Sequence, residues 1–299
     1  MLDYAALSAV AAVIRTGSFE RASAELHVTP GAVSQRVRQL ERRLGTPLVV
    51  RAQPCTATPA GACLVRHADE VGLLEARLAA ELGELAPRAA APRRPTLRVA
   101  VNADSLATWF VEVVARVDDV LFDLVVDDQD HSASWLARGE VSAAVTANAV
   151  PESGCRVEPL GALGYLATAS PAFLDRHCPD GVTAAALARA PMFAFDAKDR
   201  LQSRWLLERF GVEPRPPTHR LPSTEAFVRL AAAGAGWGMN PEPLVREALA
   251  DGRLVELVPD TPLHVPLYWQ TPRALDGALG HVTAAVRRAA RKGLRDASP

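Results

Sequence analysis

Residues 18–45 read SFERASAELHVTPGAVSQRVRQLERRLG, from Ser18 to Gly45, and this stretch decides how the first part of the chain folds. Ser18 is a helix-capping residue, and Phe19, Ala22 and Leu26 behind it fall on one helical face. His27-Val28 predicts a tight turn. Thr29 followed by Pro30 predicts a second helix start, because proline at the first helical position gives up an N–H that has no intrahelical partner. At about 100° per residue, Val33, Val37, Leu40 and Leu44 gather on one side of that helix. Gly31, Ser34, Gln35, Arg38 and Arg42 gather on the other, and Gly45 stops it. One side packs; the other presents hydroxyl, amide and guanidinium groups.

Upstream, Leu2, Ala6, Ala9, Val10 and Val13 predict a helix over 2–14 that Thr16-Gly17 terminates. Downstream, residues 46–57 (TPLVVRAQPCTA) predict a short apolar strand, an exposed Arg51 and a proline turn, the outline of a wing. Two caps, a tight turn, opposed faces and a wing together predict a winged helix-turn-helix, with an ordinary solvated helix face as the alternative. Such a head sets its second helix in the major groove of double-stranded DNA. There Gln35 suits adenine N6/N7 and Arg38 suits guanine O6/N7, each worth roughly 1–3 kcal/mol of discrimination, with Ser34 and Arg42 on the same face. Ser18, Thr29, Pro30 at the helix start and Arg51 on the wing are placed for phosphates, which position without specifying.

The charge is divided in the same sense. The net charge is −1, but through Arg51 seven arginines face four acids, so the head carries +3 and the remainder −4. A basic head on an acidic body suits a polyanion-binding module joined to a domain with another task.

Thr58-Pro59 is another cap-plus-proline start, opening a helix that runs to about Ala86. Leu64, Val71, Leu78 and Leu85 recur at seven-residue spacing, with Ala68, Glu75 and Leu82 between them, which predicts a dimerising helix. The alternative is an amphipathic helix packed on its own chain. PRAAAPRRP over 87–95 has no core-forming residue and reads as a linker.

From Thr96 strands alternate with helices. Strands are predicted at 97–101, 122–126 and 143–146, with helices at 104–117 and 132–138, which gives α/β with a parallel sheet. A second series has strands near 192–195, 219–221 and 237–239, separated by helices near 201–210, 224–233 and 243–249. A strand over 263–270 and a helix over 274–292 close the chain. Two lobes joined by crossing strands leave a cleft for a small ligand. The predicted division is a head at 1–58, a linker and dimerisation helix at 59–88, a hinge at 89–95 and an effector-binding domain at 96–299. Within that domain, lobe 1 takes 96–165 with 266–299, and lobe 2 takes 166–265.

Signals for catalysis are poor. There is no Walker loop, no G-x-S-x-G elbow and no H-E-x-x-H, and Gly234 to Gly238 (GAGWG) follows a helix, so it reads as a helix-ending turn feeding a strand. No catalytic residue, metal site or cofactor is predicted. Cys55, Cys63, Cys155 and Cys178 form no C-x-x-C pair and read as reduced and packed. No basic leader opens the chain, and no apolar run approaches the roughly 20 residues needed to cross a bilayer. A soluble, cytoplasmic protein without membrane contact is predicted.

The whole chain, and GSFERASAELHVTPGAVSQRVRQLERRLG above all, resembles the LysR-type transcriptional regulators. LVVRAQPC (48–55), VNADSLATW (101–109) and STEAFVRLAAAG (223–234) resemble the ArgP/LysG branch, which senses lysine and arginine. Gly31 stands where the family usually has serine, and Lys198-Asp199-Arg200 where the branch has a more acidic run. The resemblance implies a winged helix-turn-helix head, a long linker helix and a two-lobed effector domain of the periplasmic-binding-protein type. It also implies a homodimer or dimer of dimers, RNA polymerase as a further candidate partner, and activation of a basic-amino-acid exporter gene. A different metabolite, such as an organic or aromatic acid, is the alternative effector. A ligand-binding protein without DNA function is the alternative from another class.

A basic amino acid offers a carboxylate, an α-ammonium and a distal cation. The carboxylate suits the free N–H groups where a helix opens at Asn102, Ala103, Asp104 and Ser105, with Ser105 and Thr108 adding hydroxyls. The distal cation suits Asp127, Asp128 and Asp130 at the end of the second strand, though that run also reads as a solvated turn. Ser223, Thr224 and Glu225 open a helix that can close over the ligand, with Asp196 ending a strand nearby. Trp109 and Phe195 read as core before they read as stacking groups.

Overall fold

Each helix of the head begins on a capping side chain. Asp3 caps α1 (Tyr4–Thr16), Ser18 caps α2 (Phe19–Glu25) and Thr29 caps α3 (Pro30–Leu44) by accepting the Ala32 N–H. Gly17 at φ 69° and Gly45 at φ 67° end α1 and α3 in the left-handed region, where glycine carries no Cβ penalty. His27, at φ 53°, makes the turn between α2 and α3. The structure is a computed structural model and describes residues 3–83, 94–127, 132–212 and 214–296.

Val33, Val37 and Leu40 share a dry core with Ala9, Val10, Val13 and Ala22. Leu44, predicted on the same side, is 43% exposed; it is the last residue of α3, one turn beyond the last buried position. The wing is β1 (Val49–Val50) paired antiparallel with β2 (Thr56–Ala57). Helix α4 (Pro59–Leu82) starts on the Thr58 cap and lies against the wing so closely that a Cβ at Gly61 would strike the Leu48 carbonyl. Only glycine allows that approach.

Within one chain the described positions of the seven-residue pattern along α4 meet different surroundings. Leu64 packs on the head core, Val71 is half-buried and Leu78 is 54% exposed. Leu73, two positions beyond Val71 and off the pattern, is buried in the core of the following domain. The exposed apolar row is Leu74, Leu78 and Leu82, spaced four residues apart along one helical face. Leu85 and Ala86 lie outside the described residues, as do residues 89–93 of the predicted hinge at 89–95.

The second domain opens with β3 (Thr96–Val101), then a helical run of α5 (Ala103–Ser105), a π turn (Leu106–Phe110) and α6 (Val111–Arg116). Next come β4 (Leu121–Val126), α7 (Ser132–Ala137), β5 (Ala143–Thr146), β6 (Cys155–Ala169), α8 (Pro171–His177), α9 (Ala184–Leu187) and β7 (Met192–Ala194). They lead to α10 (Leu201–Phe210), β8 (Thr218–Arg220), α11 (Thr224–Ala232), β9 (Gly238–Pro241), α12 (Glu242–Ala250), β10 (Val255–Glu256), β11 (Leu263–Pro272) and α13 (Gly280–Gly293). The predicted start of the last helix at Ala274 is corrected, since Arg273–Leu275 form a separate 3-10 turn. Gly234, at φ 76°, ends the turn after α11 and leads to β9, as the GAGWG reading required.

The main sheet runs β10-β6-β11-β5-β3-β4, with β9 also on β6. It is mixed rather than parallel. Strand β3 is parallel to β4 and β5, whereas β11 is antiparallel to both β5 and β6. Strand β6, the longest at 15 residues, is one of the elements that sequence reading missed, together with α8, α9 and β10. It pairs with β11 from Cys155 to Tyr165 and with β9 from Tyr165 to Thr168, so it passes from one half of the domain to the other. Trp205, Trp237 and Trp269 are fully buried in the domain's main core.

Candidate DNA interface and effector cleft

On the head, Phe19, Pro30, Ser34, Gln35, Arg38 and Arg42 line one shallow concave surface, flanked by Glu20 and Glu41. Gln35, Arg38 and Arg42 are exposed while Val33, Val37 and Leu40 are buried, so the helix faces separate as its period dictates. Thr29 is exposed at the helix start. Two predicted contacts are otherwise engaged. The Ser18 hydroxyl donates to Glu20 Oε2 at 2.6 Å while capping α2, and that bond holds the Glu20 carboxyl below its usual range. A carboxylate beside Ser18 disfavours phosphate there. The Arg51 guanidinium lies 5.1 Å from the Phe19 ring centroid and 3.6 Å from Glu41 Oε2, which folds the wing arginine back on the head.

In the second domain a cleft is lined by Asn102, Ala103, Asp104, Asp127, Phe195, Asp199, Leu201, Thr224, Phe227 and Met239. Its empty space, open mouth included, is ≈ 500 Å³. The ends of β3 and β4 supply Asn102 and Asp127, the start of the helical run supplies Asp104, and the start of α11 supplies Thr224. These lie in the crevice at the carboxyl ends of parallel strands, where α/β folds place ligands.

Asp104 is a junction. Its Oδ2 accepts the Tyr165 hydroxyl at 2.7 Å and its Oδ1 accepts the Thr224 hydroxyl at 2.6 Å. Asp127 Oδ2 accepts the indole N–H of Trp135 at 2.8 Å, and Lys198 Nζ stands 4.0 Å from its other oxygen. Asp199 accepts the backbone N–H groups of Phe195 and Leu201 at 2.9 and 3.1 Å. Burial pushes the Asp199 carboxyl above its usual range, against those two bonds, and the charge of Asp196 adds to the rise.

The other predicted residues divide. Ser105 is fully buried, and its hydroxyl finds no hydrogen-bond partner among the described residues. Thr108 donates back to the Asp104 carbonyl at 2.6 Å, a bond within its own helical run. Asp196 accepts the N–H groups of Lys198 and Asp199 and closes a local turn. Ser223 caps α11, and Ser223 and Glu225 are exposed. None of these five lines the cleft. Asp128 and Asp130 lie outside the described residues.

Asp199, Leu201, Phe227 and Met239 were missed as a set because three segments contribute them and only the topology gathers them. Asp199 had a signal: it stands in the Lys198-Asp199-Arg200 run, and of the three it is the acid that turns inward. Trp109 is core, as predicted, while Phe195 is half-buried at the cleft wall. All four cysteines are free thiols; Cys155 and Cys178 are buried, but Cys63 is exposed rather than packed. Among the described residues there is no group of side chains able to hold a metal ion, and no helix is long and apolar enough to cross a membrane.

Comparison with known proteins identifies the two domains. Residues 4–62 match the bacterial regulatory helix-turn-helix proteins of the lysR family, and residues 90–291 match the LysR substrate binding domain. The chain is 47% identical over 289 residues to the HTH-type transcriptional regulator LysG of Mycobacterium tuberculosis, spanning 97% of this chain and 94% of that one. The crystal structure of ArgP from Mycobacterium tuberculosis superposes with a TM-score of 0.78 at 46% identity, covering 100% of both chains. Full-length LysG from Corynebacterium glutamicum with bound effector Arg superposes at 0.65 and 37% identity, covering 98% of this chain and 100% of that one. The chain belongs to the LysR family of DNA-binding transcriptional regulators and stands with LysG and ArgP within it.

Proposed function

We propose that this regulator answers to arginine or lysine held in the cleft and controls a gene for basic-amino-acid export. One observation carries the choice of effector: Asp104, Asp127 and Asp199 line the cleft, and no lysine or arginine is among the described residues that line it. A ligand with two cationic nitrogens meets complementary charge there, whereas an organic or aromatic acid meets repulsion. The ligand's carboxylate takes the main-chain N–H groups where the helical run opens after Asn102. Gln35 and Arg38 read operator bases, and Thr29 holds phosphate. Pairing with a second copy uses the Leu74, Leu78 and Leu82 row on α4. The protein works in the cytoplasm as a regulator without catalytic activity. The relative crystallised with arginine supports this reading, as does the position of the acids at the strand ends.

Calorimetry on the full chain tests it. Heat on titration with L-arginine or L-lysine, and none with an aromatic acid, is the expected result; silence toward both basic amino acids overturns it.

A further inference from the structure

The carboxylate of Asp104 belongs to the first half of the domain; of the hydroxyls that hold it, Thr224's comes from the second half and Tyr165's from the strand that joins the two. Tyr165 lies on β6 where that strand meets β9, and it is 1% exposed. Thr224 is the first residue of α11 and is 6% exposed. Both donate to Asp104, one to each oxygen, at 2.7 and 2.6 Å. Two donors from different elements fix the rotation of a carboxylate in a way that one donor cannot. A carboxylate has about four lone-pair sites, and Asp104 lines the cleft as well as accepting these two hydroxyls.

We propose that Tyr165 and Thr224 are positioning residues for amino-acid recognition: they aim Asp104 at the α-ammonium of the bound ligand. The assignment rests on the reading of the cleft as a basic-amino-acid site and adds which acid takes which nitrogen. An α-ammonium and an α-carboxylate share one carbon, so their receptors must lie on neighbouring groups of the protein. With the carboxylate on the main chain after Asn102, Asp104 is the acid on that same turn. Asp127 ends β4 and Asp199 precedes α10, both on other elements, which leaves them for the distal cation.

The arrangement ties recognition to closure. Asp104 is held by both hydroxyls only when α11 and β6 stand where they do in this structure. A ligand that uses a fixed Asp104 therefore binds this arrangement better than an open one, which is the differential affinity a population shift requires.

The test compares L-arginine with delta-guanidinovalerate, which is arginine without its α-amine, by calorimetry on the full chain. Lysine with epsilon-aminocaproate serves the same purpose if lysine is the ligand that binds. Tyr165→Phe and Thr224→Val should each weaken the amino acid about tenfold, equivalent to roughly 1.4 kcal/mol, and leave the deaminated analogue within about twofold. Thr224→Ser keeps the hydroxyl and should restore the wild-type ratio, which a purely structural role for the residue would not predict. If Tyr165→Phe fails to fold, the Thr224 pair carries the comparison. Equal losses for both ligands, or no loss for either, in variants of a wild type that binds arginine or lysine, overturn this assignment alone. A wild type that binds neither overturns the reading of the cleft, and the assignment with it.

Discussion

Lys198 Nζ stands 4.0 Å from Asp127 Oδ1, a contact from the loop after β7 to the end of β4. The protein thus places a cation of its own beside one of its three lining acids. The Lys198 side chain is 51% exposed, so the pair adds little to stability, about 0–1 kcal/mol. Its larger effect falls on the ligand, whose distal cation must share or displace it. Lys198→Gln should leave the unfolding midpoint unchanged and tighten arginine binding by about two- to fivefold, as measured by calorimetry. Weaker binding would instead make Lys198 a partner of the ligand's carboxylate.

Asp199 makes a prediction about pH. Its folded-state value lies above the ordinary 3.8, chiefly through burial. The protonated form is the one that folding favours. Its contribution to stability is therefore complete below the ordinary value and is lost as pH rises through the raised one. The difference in unfolding midpoint between the wild type and Asp199→Asn should move in the variant's favour over that interval. A cationic ligand favours the ionised form, so binding there should release protons, visible as a buffer-dependent enthalpy. A midpoint difference that stays flat with pH would count against the burial argument.

On the head, Arg38 and Thr29 should fail in different ways. Arg38→Ala should relax sequence preference by roughly 1–3 kcal/mol at one base position. Thr29→Ala removes the cap that accepts the Ala32 N–H, costs about 1 kcal/mol of helix stability and weakens all sequences alike. Gel shifts on matched and scrambled operators, at several salt concentrations, separate the two patterns.

Leu78 and Leu73 separate assembly from folding. Leu78 is 54% exposed, so Leu78→Glu should leave the monomer fold intact and reduce self-association in light scattering. Leu73 is 3% exposed within the core of the second domain, so Leu73→Ala should cost about 2–5 kcal/mol. If Leu78→Glu leaves the oligomer unchanged, the exposed row is not the seam.

The head was legible because its devices are local. Ser18, Thr29-Pro30 and Gly45 each act within one turn, and the structure uses each where the sequence puts it. Strand β6 was not legible. Its Pro159, Gly161 and Gly164 break the alternation that marks a strand, and they are tolerated because β11 and β9 pair with it along its length. The cleft was half legible for the same reason. Asn102, Asp104, Asp127 and Thr224 sit at predicted element ends, whereas Phe227 and Met239 reach the cleft only through the packing of α11 and β9. The partners of the α4 pattern were not legible, since heptad spacing marks apolar positions without saying which neighbour each meets. Leu64 met the head, and Leu73, off the pattern, met the second domain.

Those two leucines give α4 a mechanical role. One continuous helix has Leu64 set in the head's core and Leu73 set in the effector domain's, and an ion pair between Arg15 and Asp69 fastens α1 to it between the two. A helix of 24 residues is a stiff arm about 36 Å long. Turning such an arm by about 10° sweeps its far end through roughly 6 Å, nearly two base-pair steps of about 3.4 Å each. Effector binding can therefore be felt as leverage, altering the separation and pitch of paired heads while each head's own grip on its half-site stays the same. Footprint length and DNA bend angle, rather than the affinity of a single head, are where that leverage would register.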